Sequence, residues 1–119
     1  MIFQIEDGGS YRWVDAEGTI FHHTNERTEG FIVHTATNEK RLLTDVATVV
    51  LSLSDDLKVQ LTEIVASSVD QIILNFDNGK QVIWGSAEES ELKAQVLPHL
   101  LPMEGNFIDV TSPGNPAIR

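Results

Sequence analysis

The chain has 119 residues, which is enough for one hydrophobic core, and its 8 Lys and Arg against 18 Asp and Glu give a formal net charge of −10. A charge of this sign repels a phosphate backbone, so the composition argues against a nucleic-acid partner. The absence of cysteine excludes disulfides and thiolate chemistry. The sequence also contains no run of 18 apolar residues that could cross a membrane.

The first predicted element is a β-hairpin. Residues 11–14 and 19–21 are rich in β-formers and flank a turn at 15–18 that starts with Asp and ends with Gly. A short apolar strand follows at residues 31–34.

Two helices are predicted next. Thr37 or Asn38 can cap the first helix, and Ser54, followed by two aspartates, can cap the second. The first helix should bury a wide apolar stripe formed by Leu42, Leu43, Val46, Ala47, Val49 and Val50. The second should share one face among Leu57, Leu61, Ile64 and Val65.

Apolar residues on both sides of Asn78-Gly79 predict a second hairpin. Both residues of this dipeptide tolerate positive φ, which favours a two-residue type I′ turn. Such a loop places Leu74 opposite Ile83.

A third helix is predicted from a capping box formed by Ser86 and Glu89. Pro98 lacks a backbone donor and should end or kink this helix near Leu97. Its inner face should comprise Leu92, Val96 and Leu100.

Residues 107–110 predict a final strand, and the Pro- and Gly-rich residues 113–119 predict a loose tail. The order of elements is strands, two helices, a hairpin, a helix and a strand. This order predicts an α+β fold in which helices pack on a mixed, largely antiparallel sheet.

Side chains suited to catalysis or metal binding do not form a recognisable motif. His22 and His23 are adjacent on a predicted strand, where they point to opposite faces, so we predict no metal site. The carboxylate pairs at 55–56 and 88–89 lie at predicted helix starts, which favours a capping role over a catalytic one. Trp13 and Trp84 could anchor a partner, but core positions are the preferred interpretation. We predict neither an enzyme nor a cofactor.

Three stretches, taken in order, resemble the C-terminal β domain of the bacterial division protein FtsQ, called DivIB in some lineages, and most closely its actinobacterial form. They are DGGSYRWVDAEGTIF at 7–21, NFDNGKQVIWGSAEESELKAQVL at 75–97 and FIDVTSPGNPAIR at 107–119. The resemblance implies a β domain at 7–112 and a tail at 113–119. Residues 1–6 would be the trailing end of an upstream POTRA domain, or residues added at the start of a fragment.

The resemblance also implies a function. A membrane anchor would precede this segment in a single-pass protein, and the β domain would lie outside the cytoplasmic membrane at the division septum. It would act as a non-catalytic scaffold that binds FtsB/DivIC-type and FtsL proteins. The partner would add a strand to the last strand of the domain, at Phe107, Ile108, Asp109, Val110, Thr111 and Ser112.

Strand geometry supports this site independently. A terminal strand with no later element to cover it leaves a row of backbone groups available for pairing. Alternation along the strand should turn Ile108 and Val110 towards the core and leave Phe107 and Thr111 for partner contacts.

A second hypothesis is an extracytoplasmic module that binds a small ligand between the helices and the sheet. Such a pocket needs convergent polar groups in an apolar setting. The candidates are Thr48, Asn75 and Gln95.

Overall fold

The structure is a computed structural model that describes residues 2–118. Within this range the chain forms three helices and nine strands, which confirms the predicted α+β class. In chain order they are β1 (Phe3–Asp7), β2 (Ser10–Val14), β3 (Ile20–Thr24), β4 (Ile32–Thr35), α1 (Lys40–Ser52), α2 (Asp55–Gln60), β5 (Leu61–Ser68), β6 (Gln71–Phe76), β7 (Gln81–Gly85), α3 (Ser90–Leu100), β8 (Phe107–Asp109) and β9 (Ala117–Ile118).

The strands form one mixed sheet in the order β3-β2-β1-β4-β5-β6-β7-β8-β9. The pairs β1/β4, β4/β5 and β7/β8 are parallel. The other neighbouring pairs are antiparallel, as predicted for most of the sheet. Strands β3 and β9 are its two edges.

The helices cover one face of this sheet. All six predicted stripe residues of α1 are buried, which confirms its orientation. They pack against alternate residues of the central strands, including Ile64, Leu74, Val82 and Ile108, each of which is fully buried. The strand residues between these point away from the helices because side chains alternate across a sheet.

The second helix is shorter than predicted. Ser54 caps it as expected, because its hydroxyl accepts the Leu57 backbone N–H at 3.3 Å. The helix ends at Gln60, and the extension to Val65 is wrong because residues 61–68 form the central strand β5. Pairing with β4 and β6 on both sides overrides the helical spacing of its apolar residues.

The turn between β6 and β7 also differs from the prediction. Gly79 has φ of 83°, whereas Asn78 is not among the positive-φ residues, so the type I′ assignment is wrong. Gly79 donates to the Phe76 carbonyl at 3.1 Å, as in a three-residue loop that ends in a left-handed residue. The extra loop residue shifts the register, and Leu74 faces Val82 instead of Ile83.

Helix α3 begins three residues later than the capping box predicts, because Glu89 and not Ser86 occupies the cap position. Ser86 accepts the N–H of Glu88 at 3.3 Å, and Glu89 precedes the helix in a left-handed conformation with φ of 56°. The buried face is therefore Ser90, Lys93, Leu97 and Leu100, while Leu92 is 43% exposed. The helix continues past Pro98 to Leu100, because this proline is exposed and the carbonyl that it leaves without a donor can be solvated.

The start of α1 lacks the predicted cap. Glu39 occupies the cap position without a side-chain hydrogen bond, so neither Thr37 nor Asn38 caps the helix. Thr37 instead accepts the Glu39 N–H at 3.4 Å in the preceding turn.

Both predicted chain ends contribute to the sheet. Phe3 and Ile5 of β1 are buried in the core, so the predicted boundary at Asp7 falls at the end of an internal strand. The predicted tail does not extend away from the domain, since Pro113 is buried and residues 117–118 pair with β8 as strand β9. Met1 and Arg119 lie outside the described residues.

Candidate functional site

The six predicted partner-binding residues lie at the end of the sheet formed by β7, β8 and β9. Phe107, Ile108 and Asp109 form β8, while residues 110–112 follow it. Ile108 and Val110 are fully buried and Phe107 is 48% exposed, as the alternation along this strand predicts.

The backbone of β8 has an inner and an outer edge. The Asn106 carbonyl accepts a β7 N–H at 2.8 Å, and the Val110 N–H donates to a β7 carbonyl at 3.0 Å. Backbone groups alternate in direction along a strand, so those of Phe107 and Asp109 point outward. Strand addition requires such an outward-facing row of donors and acceptors.

The structure corrects the expectation that this outer edge is uncovered. A turn in which Asn115 donates to the Ser112 carbonyl at 2.8 Å reverses the chain. Strand β9 then pairs antiparallel with β8, placing Ala117 beside Asp109 and Ile118 beside Ile108. The sequence signal that could have predicted this pairing is weak, because it consists of two apolar residues after Pro116.

The next outward-facing donor beyond β8 is also occupied. Asp109 Oδ1 accepts the Thr111 backbone N–H at 2.9 Å and the Thr111 hydroxyl at 2.6 Å. The Thr111 side chain in turn lies over Gly85, where an added Cβ would come within 2.7 Å of the Thr111 methyl group. Backbone pairing at the outer edge therefore ends at Asp109 in this conformation.

A groove of about 420 Å³ adjoins this edge on the sheet face that the helices leave uncovered. Its apolar part consists of Ile73, Ile83, Phe107 and Ala117, with Gln81 and Asp109 as polar neighbours. Neither Ile73 nor Ile83 was predicted from the sequence as a site residue. The available signal was the apolar character of both faces of the second hairpin.

A buried lysine lies beneath the segment that joins β8 to β9. Lys93 is 2% exposed, donates to the Ser86 carbonyl at 2.9 Å and lies 6.0 Å from the centre of the Trp84 ring. Burial lowers the pKa of Lys93, and the negative charges of Glu89, Glu88 and Asp109 oppose this shift. Lys93 was not predicted as a buried residue because the inner face of α3 lies one residue away from the face predicted from the capping box.

The structure does not bring together the polar residues proposed for a small-ligand pocket. Thr48 donates to the Thr44 carbonyl at 3.1 Å, and Asn75 donates to Glu63 at 2.8 Å on the uncovered sheet face. Gln95 is exposed on α3.

The two tryptophans considered as partner anchors occupy different positions. Trp84 lies in the core, as predicted, and donates to the Ser90 hydroxyl at 3.2 Å. Trp13 is half-buried and lies outside the core, so the core prediction is wrong for this residue. Its ring is tilted by 44° against that of His22, with ring centres 4.4 Å apart. Residues 2–118 contain no cluster of three or more His, Asp or Glu side chains that could hold a metal ion. None of the helices formed by these residues has the length and hydropathy needed to span a bilayer.

The fold and this edge define a class of small α+β domains that carry helices on one sheet face and end the sheet in a short strand. The sequence model described as "Cell division protein FtsQ/DivIB, C-terminal" matches residues 4–111. The chain therefore belongs to the FtsQ/DivIB C-terminal family, which confirms the resemblance found in the sequence and indicates a role in cell division.

Three relatives illustrate the similarity, and each is named cell division protein FtsQ. The protein from Mycobacteroides abscessus is 39% identical over 71 residues, which cover 60% of this chain and 23% of the relative. The Streptomyces griseus protein is 29% identical over an alignment of 130 positions, which covers 98% of this chain and 62% of the relative. The Streptomyces bingchenggensis protein is 25% identical over an alignment of 126 positions, which covers 96% of this chain and 48% of the relative. The chain thus spans about a quarter of the first relative and about half of the last.

Proposed function

We propose that this chain is the partner-binding β domain of a cell-division scaffold. The domain is non-catalytic, lies on the extracytoplasmic face of the cell membrane at the division septum, and is anchored by a segment upstream of it. Its partners are FtsB/DivIC-type and FtsL proteins. They bind by strand addition at the edge formed by Phe107, Ile108, Asp109, Val110, Thr111 and Ser112.

The observation that carries this proposal is the outward direction of the backbone groups of Phe107 and Asp109 at the end of the sheet. In strand addition, main-chain hydrogen bonds supply affinity and the alternating side chains supply specificity. The exposed ring of Phe107 and the adjacent groove beside Ile83 can supply the second contribution.

Membership of the FtsQ/DivIB family supports the same partner class, because the family match extends through β8 to Thr111. The charge of the chain is consistent with a protein partner, since a net charge of −10 disfavours nucleic acid. We propose no cofactor, because strand addition relies on main-chain hydrogen bonds and side-chain contacts alone.

The decisive experiment removes one outward backbone donor and leaves the inner edge intact. Asp109→Pro lacks the outward N–H, which faces β9 in the unbound chain and would face the partner strand in the complex. The inward hydrogen bonds to β7 come from the neighbouring residues Asn106 and Val110, so the substitution leaves them in place. Asp109→Ala is the matched control, because it loses the same side chain but keeps the donor. We expect Asp109→Pro to bind the partner segment at least about tenfold more weakly than Asp109→Ala, a difference of about 1.4 kcal/mol.

Titration calorimetry with a synthetic C-terminal segment of the FtsB/DivIC-type protein from the same genome provides the measurement, and circular dichroism verifies that both variants fold. Equal affinities of two folded variants would move the site away from Asp109. Failure of the unmodified chain to bind any division partner would contradict the proposed function.

A further inference from the structure

We propose that β9 is a built-in competitor that occupies the partner's place on β8 and must be displaced before a partner strand can bind. This inference rests on the proposed function and adds a regulatory step to the same site. The side chains of β9 also indicate which side chains an incoming strand must carry.

The geometry places β9 on the same backbone groups that strand addition requires. The backbone of Asp109 points outward, and Ala117 is its antiparallel partner, so these two residues form the hydrogen-bonded pair. Ile118 lies beside Ile108 and packs, half-buried, against the hydrophobic core. A second strand cannot use the outer edge of β8 while β9 is paired there.

Several features make β9 weak enough to be displaced. The strand has only two residues, and Ala117 is exposed. Backbone groups alternate in direction, so the next residue that could face β8 is Asn115, and its N–H donates instead to the Ser112 carbonyl. A longer incoming strand could form more main-chain hydrogen bonds along the outer edge of residues 107–111. It would gain the Thr111 donor only by displacing the Asp109 carboxylate that now accepts it.

The position of β9 also defines the chemistry of its replacement. An incoming strand needs an apolar side chain beside Ile108, because removal of Ile118 would otherwise expose the edge of the core. Its adjacent residue would face the groove in place of Ala117 and contact Phe107 and Ile83. We therefore infer an alternating, apolar segment as the ligand.

The test weakens β9 without touching β8. Ala117→Pro removes the donor that pairs with Asp109, whereas Ala117→Ser keeps it and serves as the matched control. The apparent Kd of a ligand equals its intrinsic Kd divided by the fraction of protein that is competent to bind. We expect Ala117→Pro to bind the synthetic FtsB/DivIC-type segment about threefold or more tightly than the unmodified chain, and Ala117→Ser to bind it unchanged.

A chain that ends at Asn115 provides a second variant, and it should show the same gain in affinity for the partner segment. A synthetic peptide of residues 113–119, added to that shortened chain, should compete with the partner segment. Circular dichroism verifies that each variant folds.

The outcomes separate the two proposals. If the unmodified chain binds the segment but Ala117→Pro and the shortened chain bind it equally well or more weakly, the competitor role is wrong and the proposed function stands. If no chain binds any candidate segment, the proposed function is wrong and the competitor role fails with it.

Discussion

Lys93 is a buried cation whose burial was not predicted from the sequence. It ties the loop before α3 to the helix through the Ser86 carbonyl, and it lies beneath the segment that leads to β9. Burying an ammonium group in this way favours its neutral form. The carboxylates of Glu88 and Glu89 partly compensate for that cost.

The lowered pKa of Lys93 predicts a pH dependence of stability. Between its folded-state pKa and the ordinary value of 10.5, the unfolded chain binds more protons at this site than the folded chain does. Stability conferred by Lys93 therefore rises as the pH rises through this window. We expect the free energy of unfolding of the unmodified chain, minus that of Lys93→Met, to increase between pH 7 and 10.

Urea unfolding at several pH values provides the measurement. Lys40→Met, at an exposed position on the first turn of α1, controls for the general loss of a lysine. A difference between the unmodified chain and Lys93→Met that stays constant over this range would contradict the burial of a shifted ammonium group.

At the scale of elements, short loops decide the register of the strands that they join. The loop between β6 and β7 contains one residue more than a type I′ turn, and this moves Leu74 opposite Val82. Both residues are fully buried, so the longer loop matches the apolar faces of the two strands.

This loop predicts different costs for substitutions at its two adjacent residues. Gly79→Val places a β-branched residue at φ of 83°, so we expect a loss of about 1–2 kcal/mol in the free energy of unfolding. Asn78→Ala needs no left-handed conformation and loses an exposed hydrogen bond to the Lys80 N–H, so we expect a loss of about 0.5 kcal/mol.

Urea unfolding of both variants checks the prediction. Similar losses of more than about 1 kcal/mol at both positions would instead favour the type I′ turn, in which both residues have positive φ.

At the scale of the whole molecule, the sheet is continuous from β3 to β9, and β1 joins the hairpin of β2 and β3 to the strands from β4 to β9. Strand β1 pairs antiparallel with β2 and parallel with β4, so the first hairpin contacts the rest of the sheet through it. The domain therefore depends on residues that precede the predicted boundary at Asp7.

A chain that begins at Asp7 should fail to fold cooperatively. Truncating core Phe and Ile side chains to alanine costs about 3–5 and 2–5 kcal/mol, and removal of Phe3 and Ile5 is at least as severe. The sum, about 5–10 kcal/mol, is comparable to the whole stability of a typical domain. Thermal unfolding followed by circular dichroism, with a chain that begins at Phe3 as the control, provides the measurement. Cooperative unfolding of both chains at similar temperatures would make β1 dispensable.

Local patterns in the sequence determined much of the fold. The first hairpin, the apolar stripe of α1 and the Ser54 cap were predictable because each depends on residues close together in the chain. The inward direction of Ile108 and Val110 was predictable for the same reason. Family membership could be recognised from three separated motifs.

Tertiary structure decided the features that depend on distant neighbours. Leu61 and Ile64 fit a helical face as well as a strand, and only pairing with β4 and β6 selects the strand. The capping residues at 86 and 89 gave no indication that α3 would start later and turn Lys93 inward. Pairing of Ala117 with Asp109 required the chain to reverse after Ser112, which no periodic pattern signals. The core-facing residues of β8 were therefore predictable from the sequence, but the strand that covers its outer edge emerged only when the chain end was placed against the sheet.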